Sequence, residues 1–278
     1  ARIGAARGMH LVLVDVQQDA LDAAQAEMEA AGAQVLARKV DVSNAAQMEQ
    51  LAADVKARFG APHFVFNNAG VGAGGLVWEN SVADWDWVLG VDLMGVVHGV
   101  RLFTPMMLEA AAKDPSYRGH ITNTASMAGL LTAPNMGIYN AAKAAVVSLT
   151  ETLYHDLNLV TDQIGASLLC PYFVPTGITS SERNRNNAPQ TSELTKSQLI
   201  GQAMSNKAVS SGKITAGEIA HRVFDAISAN QFYVFSHPKA LGNVQSRMEN
   251  IVSVTNPADP FLARPEIGIA LKAQLRAA

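Results

Sequence analysis

The sequence predicts an α/β domain, a doubly wound parallel sheet. Two observations carry that expectation. Six short apolar runs rich in Val, Ile and Leu do not alternate with polar residues, and a helical pattern separates each run from the next. Continuous apolar runs are the pattern of strands buried on both faces, and helices between them return the chain over the sheet by right-handed crossovers. With 278 residues, 49% of them hydrophobic and 16% charged, the chain can fill such a core.

In order, Arg2 to Arg7 read as the tail of a helix that stops at Gly8, where glycine adopts the left-handed conformation without a Cβ penalty. His10–Val14 is the first strand candidate, closed by Asp15, and the helical pattern Gln18–Ala31 follows. After strand Gln34–Val40, Asp41 and Ser43–Asn44 supply turn and N-cap chemistry for helix Ala45–Phe59, which Gly60–Ala61–Pro62 closes. Strand His63–Phe66 leads to a long helical pattern, Val82–Ala112, in which Pro105 predicts a kink or break. Strand His120–Thr124, helix Gly137–Val160, strand Gly165–Cys170, helix Ala216–Ala229 and strand Phe232–Phe235 complete the alternation. Residues 177–214 depart from this rhythm, and a polar connection of that length predicts a lid, a binding loop or disorder. The reading is one domain over residues 1–237, with 238–278 an extension that packs on the domain or on a neighbouring subunit.

Composition narrows the function. A net charge of -3, from 21 basic and 24 acidic residues, argues against a nucleic-acid backbone binder. The single cysteine, Cys170, permits no intramolecular disulfide, and a cytoplasmic location is the simplest expectation. LVLV is too short for a signal peptide core, and no segment is expected to reach the length of a transmembrane helix. The seven histidines form no metal-ligand pattern, so no metal is expected.

The chemistry concentrates in NTASMAGLLTAPNMGIYNAAKAAVVSLT. Tyr139 and Lys143 are four apart on a helix and share a face; Ser126 lies at the end of the preceding strand, where α/β folds place ligands. An ammonium beside a phenol favours the phenolate, bringing a tyrosine toward a range where it can exchange a proton with a carbonyl or alcohol oxygen. A serine hydroxyl beside it can hold that oxygen.

With these residues in order the chain resembles the short-chain dehydrogenase/reductase family over nearly its whole length. Ser126, Tyr139 and Lys143 match its catalytic serine and its Tyr-x-x-x-Lys pair; Asn67-Asn68-Ala69-Gly70 matches its NNAG. Asp41-Val42 matches the pair that approaches adenine, and Pro171 to Thr176, PYFVPT, matches the segment at the nicotinamide carboxamide. The resemblance implies a Rossmann-like fold, Tyr139 as acid/base, Ser126 orienting the substrate oxygen, and Lys143 binding the nicotinamide ribose. It implies cofactor contacts from Asp15, Val16, Asp41, Val42, Asn68, Ala69, Gly70, Tyr139, Lys143, Pro171, Val174 and Thr176. Asp15 at a strand end suits the ribose hydroxyls of NAD, while Arg38 and Lys39 nearby leave NADP open.

Two departures stand out. Asp92 occupies the place of an asparagine that in the family holds a water linking the lysine to solvent; a proton-relay role and pairing with Lys143 are expected of it. The family also opens with a strand and a glycine-rich turn that receives the pyrophosphate, and neither precedes Arg2. We expect an N-terminally truncated form of a longer protein. The absent strand would leave a gap of about 10 Å between the LVLV and HFVF strands, and were these 278 residues the whole molecule, weak cofactor binding and impaired folding are the expectation. The implied activity is NAD(P)-dependent interconversion of an alcohol and a ketone or aldehyde, by a homodimer or homotetramer acting on a small molecule. A non-redox epimerase or lyase, or a catalytically impaired scaffold, remain the other readings.

Overall fold

The computed structural model describes residues 1–185 and 193–276; the polar heart of the 177–214 connection falls partly outside them. The elements are α1 (Arg2–Ala6), β1 (Leu11–Asp15), α2 (Gln18–Ala30), β2 (Val35–Lys39), α3 (Ala45–Phe59), β3 (Phe64–Asn67) and α4 (Val82–Leu89). A π-helical turn, Gly90–Met94, joins α4 to α5 (Gly95–Lys113). There follow β4 (Gly119–Thr124), α6 (Met127–Leu130), α7 (Gly137–Val160) and β5 (Ile164–Cys170). After a 3-10 segment, Gly177–Asn184, come α8 (Lys196–Ser210), α9 (Ala216–Ser228), β6 (Tyr233–Phe235), α10 (Leu241–Val252) and α11 (Pro265–Arg276).

Every strand pair is parallel, as the helical crossovers require. The strands form two sheets, β1-β2 and β3-β4-β5-β6. Among the described residues no strand lies between β1 and β3. Strands β4 and β5 are almost wholly buried, β1 is mostly intermediate and β3 is mixed, with Phe66 39% exposed. The largest apolar cluster joins α3, α5 and α7 to the sheets through Leu51, Val55, Phe103, Met107, Ile121 and Leu153.

Two expectations are corrected. Helix α5 runs unbroken through Pro105; the long helical pattern is interrupted instead at Gly90–Met94, ahead of the proline. Proline removes one donor and leaves the remaining ladder to support the helix, and α5 is held on both sides of it by buried Phe103 and Met107. Second, the span Val82–Lys113, 32 residues, is long and apolar enough to cross a bilayer by length and composition. Its apolarity serves packing here, because one face of α5 (Val96, Phe103, Met107, Ala111) is buried and the π-helical turn carries the buried Asp92.

The connection 177–214 contains helix α8, where the sequence reading of a lid, a binding loop or disorder named no helix. Its Thr195–Gln198 capping box fixes the helix start. The first part of the C-terminal segment packs on the same domain: Leu241 and Val244 join an apolar cluster with Val146 and Leu168, and Arg247 donates to the Leu130 carbonyl at 3.2 Å.

Candidate active site

The expected site residues gather at the C-terminal ends of the parallel strands. Asp15 ends β1 and accepts from the Gln17 N–H at 2.9 Å. Asp41 follows β2 and accepts from the backbone and hydroxyl of Ser43 at 3.0 and 2.6 Å, shaping the turn into α3. Val42 packs on Gly95, where a Cβ would come within 2.8 Å of its Cγ2. Arg38 is committed to Asp54 at 2.5 Å and to the Ala37 carbonyl, which accounts for its guanidinium without a ligand.

The four residues of NNAG divide their work. Asn67 points into the protein and donates to Asn123 Oδ1 at 2.8 Å; Asn123 donates to Thr150 Oγ1 at 3.0 Å, and Thr150 to the Val146 carbonyl at 2.7 Å. This buried chain ties β3 to β4 and α7. Asn68 is exposed and accepts from Thr124 Oγ1 at 3.1 Å, and Ala69 is exposed beside it. At Gly70 a Cβ would stand 3.5 Å from both Asp92 Oδ1 and Lys143 Nζ, so the motif's glycine lies directly against the charged pair below it.

Ser126 caps α6, accepting from the Ala128 N–H at 3.1 Å and donating to the Pro171 carbonyl at 3.3 Å. Helix α6 can lie flat on α7 because Gly129 has no side chain; a Cβ there would press within 2.7 Å of the Lys143 carbonyl carbon. Lys143 is 2% exposed, donates to the Thr124 carbonyl at 3.1 Å, and its Nζ lies 5.7 Å from the centre of the Tyr139 ring. Asp92 is fully buried: Oδ1 accepts from the Val71 N–H at 2.7 Å and Oδ2 stands 3.4 Å from Lys143 Nζ. Val174 differs from expectation in one respect. Its side chain packs with Ile219 and Val223, so any ligand contact falls to its backbone. Thr176 caps the 3-10 segment and, like Pro171 and Val16, stays at least partly accessible.

Electrostatics qualify the sequence argument about Tyr139. Burial raises its phenol above the ordinary tyrosine range; Lys143 pulls it down, Asp92 pushes it back up and Ser126 lowers it. Lys143 acts in the expected direction but does not outweigh burial. Burial also opposes the charge on Lys143, yet Asp92 and Tyr139 hold the ammonium above its usual range.

Sequence reasoning missed Asn123, Thr124, Thr150 and Val71. All four support the site through partners distant in the chain, and only the asparagine-rich NTAS and NNAG runs hinted at a polar network. It also missed how the surrounding loops hold one another. The Gly72 N–H donates to Ser181 Oγ, the Leu76 N–H to Ser197 Oγ, Ser197 to Glu79, and Asn135 to the Ser197 carbonyl. Arg185 pairs with Asp84 at 2.6 Å and lies over the Trp87 ring.

The two ends of a nicotinamide dinucleotide find suitable groups in this arrangement. An exposed carboxylate stands at the end of β1, and a serine, a tyrosine and a charged lysine meet at the ends of β4 and β5. Known proteins show the same likeness. The family described as short chain dehydrogenase matches residues 1–187. A CLA biosynthesis dehydrogenase/reductase from Lactiplantibacillus plantarum is 32% identical, over 89% of this chain and 86% of its own. A crystal structure of a short chain dehydrogenase/reductase from Burkholderia phymatum in complex with NAD is 50% identical, with a TM-score of 0.90, covering 93% of this chain and 91% of that one. A putative short-chain dehydrogenase from Novosphingobium aromaticivorans is 32% identical, with a TM-score of 0.70, over 99% of this chain and 89% of that one.

Proposed function

This chain belongs to the short-chain dehydrogenase/reductase family, and from that premise we propose that it interconverts an alcohol and a ketone or aldehyde with NAD as cofactor, NADP not being excluded. The observation that carries the reading is the convergence of Ser126, Tyr139 and Lys143 at the ends of β4 and β5. The NAD-bound Burkholderia phymatum relative supports the cofactor, and Asp15 supports NAD over its phosphorylated form.

When bound, the nicotinamide supplies or accepts a hydride at its C4 carbon. The chain's part is proton transfer and position. In reduction the Tyr139 O–H gives its proton to the substrate oxygen as the carbonyl carbon gains the hydride, and the phenolate is then reprotonated from solvent; oxidation reverses each step. Ser126 holds the substrate oxygen beside the phenol. Lys143 meets the nicotinamide ribose and stabilises the phenolate. Asp15, Val16, Asp41 and Val42 face the adenosine half, with Asn68, Ala69 and Gly70. Pro171, Val174 and Thr176 face the carboxamide, Val174 through its backbone. The substrate is a small molecule whose selection falls to residues 177–214 and those after Gly70, and residues 238–278 cover the domain or a neighbouring subunit. In this reading the enzyme works in the cytoplasm as a homodimer or homotetramer, and light scattering on the purified protein tests the oligomeric state.

The test of the activity follows NADH absorbance with a panel of ketones and aldehydes, for the protein and for Tyr139→Phe. General acid–base catalysis contributes about 10²- to 10⁴-fold, and a loss of that size with nucleotide affinity retained is the expected result. Full activity in the Phe variant sinks the proposal.

A further inference from the structure

The turn after β2 packs against α5 and the π-helical turn ahead of it. A Cβ on Gly90 would stand 3.2 Å from the Ser43 Cβ, and one on Gly95 would stand 2.8 Å from Val42 Cγ2. One helical turn beyond Gly95, on the same face, stands His98, which is 6% exposed. Arg101 donates from Nε to His98 Nδ1 at 3.2 Å and from a terminal nitrogen to Glu49 of α3 at 2.7 Å. A guanidinium can only donate, so Nδ1 carries a lone pair and the ring proton sits on Nε2. The ring also meets the Ser43 backbone, in a contact that favours a proton on the imidazole. Within itself the turn is closed. Asp41 accepts from the Ser43 N–H and hydroxyl, its carbonyl accepts from the Asn44 N–H at 3.0 Å, and its own N–H donates to Gln47. Its place against α5 is therefore set by two glycines and one titratable ring.

We propose that His98 is a positioning residue for the adenine end of the cofactor: the neutral ring pins the turn Asp41–Asn44 to α5, and a second ring proton unpins it. The inference rests on Asp41 and Val42 facing the adenosine half. A proton on Nδ1 would set one N–H against another and bring two positive charges together at 3.2 Å, so the Arg101 contact is lost and the ring must turn. The charged groups that face the ring are Arg101 on its own helix and Glu49 on α3; Asp41 in the turn is engaged with Ser43. Burial, and after it Arg101, hold the imidazole below the ordinary value of 6.5, while the Ser43 backbone and Glu49 pull the other way. At neutral pH the turn is held. Affinity for the dinucleotide falls as the solution becomes acidic, and the group of Ser126, Tyr139 and Lys143 is left in place. The coupling is reciprocal, so bound cofactor lowers the His98 midpoint further.

The experiment follows the His98 ring and the amides of Val42 and Ser43 by NMR as pH is lowered, first without nucleotide. The ring is expected to titrate below 6.5, and the two amides to shift with the same midpoint. In His98→Gln the side-chain amide can accept from Arg101 and donate to Ser43 but gains no proton, so the shared shift should vanish. Amides that stay fixed while the ring titrates overturn the proposal, as does a ring midpoint at or above 6.5; both are read on the unaltered chain and need no variant to fold. NADH titrated by fluorescence gives the second readout. A His98 midpoint lowered by half a unit on binding corresponds to a Kd about threefold higher in acid than at neutral pH, and this ratio should flatten in His98→Gln. A ring with only a structural role lowers the melting temperature and leaves the pH profile of Kd unmoved, which also overturns the proposal. No NADH binding at any pH would sink the cofactor reading and this inference with it; binding with fixed amides would sink this inference alone.

Discussion

His120 ties the fold to pH through one side chain. It is 6% exposed on β4 and its Nε2 lies 2.7 Å from Ser167 Oγ on β5, while burial holds its pKa down at about 4. In the unfolded chain it takes up a proton near pH 6.5; in the folded chain it does so near 4. Between those values the unfolded state binds more protons, so stability falls as pH falls from 6.5 to 4 and this contribution levels off below. The full span is worth about 3 kcal/mol. Urea unfolding at several pH values across that window should show a shallower slope for His120→Gln. Thr150 is a second residue of this kind. Thr150→Val leaves the Asn123 amide without its partner and should cost about 1–3 kcal/mol in chemical denaturation, whereas Thr150→Ser keeps the bond and most of the stability. The sequence shows that Asn123 and His120 lie on a strand; that their side chains are buried, and against what, depends on neighbours dozens of residues away.

Among the elements, α5 shows what local pattern reveals and what it hides. Its apolar spacing was legible, and so was Pro105, yet the irregularity lies at Gly90–Met94. A wide turn leaves no mark in hydrophobic periodicity; it forms because Asp92 finds Val71 and Lys143, both remote in sequence. Gly99 presses the same helix onto β3, and a Cβ there would overlap the Asn67 amide. Gly99→Ala should therefore lift α5 or displace Asn67 at about 1–3 kcal/mol, read as a lowered denaturation midpoint. Helix α8 meets the loop after β3 at a glycine pair, where a Cβ on Gly201 would stand 3.2 Å from the Gly74 Cα. Gly201→Val should part these elements, raising KM for substrate more than it lowers kcat. Equal KM in the two proteins would show that α8 does not shape the entrance.

At the scale of the molecule, alternation of strand and helix made the parallel topology legible, and the spacing of Ser126, Tyr139 and Lys143 located the centre of the candidate site. Strands β4 and β5 are each paired on both sides and almost wholly buried. Their amide hydrogens should exchange only through the largest opening of the fold, and later than those of the exposed helix α10; fast exchange in β4 or β5 by hydrogen–deuterium measurement would contradict this.

The grip on the loop after β3 has one more consequence. Gly72 and Asp84 bind Ser181 and Arg185, while Leu76, Glu79 and Asn135 bind Ser197, so releasing any one bond leaves the others in place. Loosening should therefore be graded. Ser197→Ala removes two of these bonds at once and should speed amide exchange at Leu76 and its neighbours, whereas Ser181→Ala should leave that stretch held.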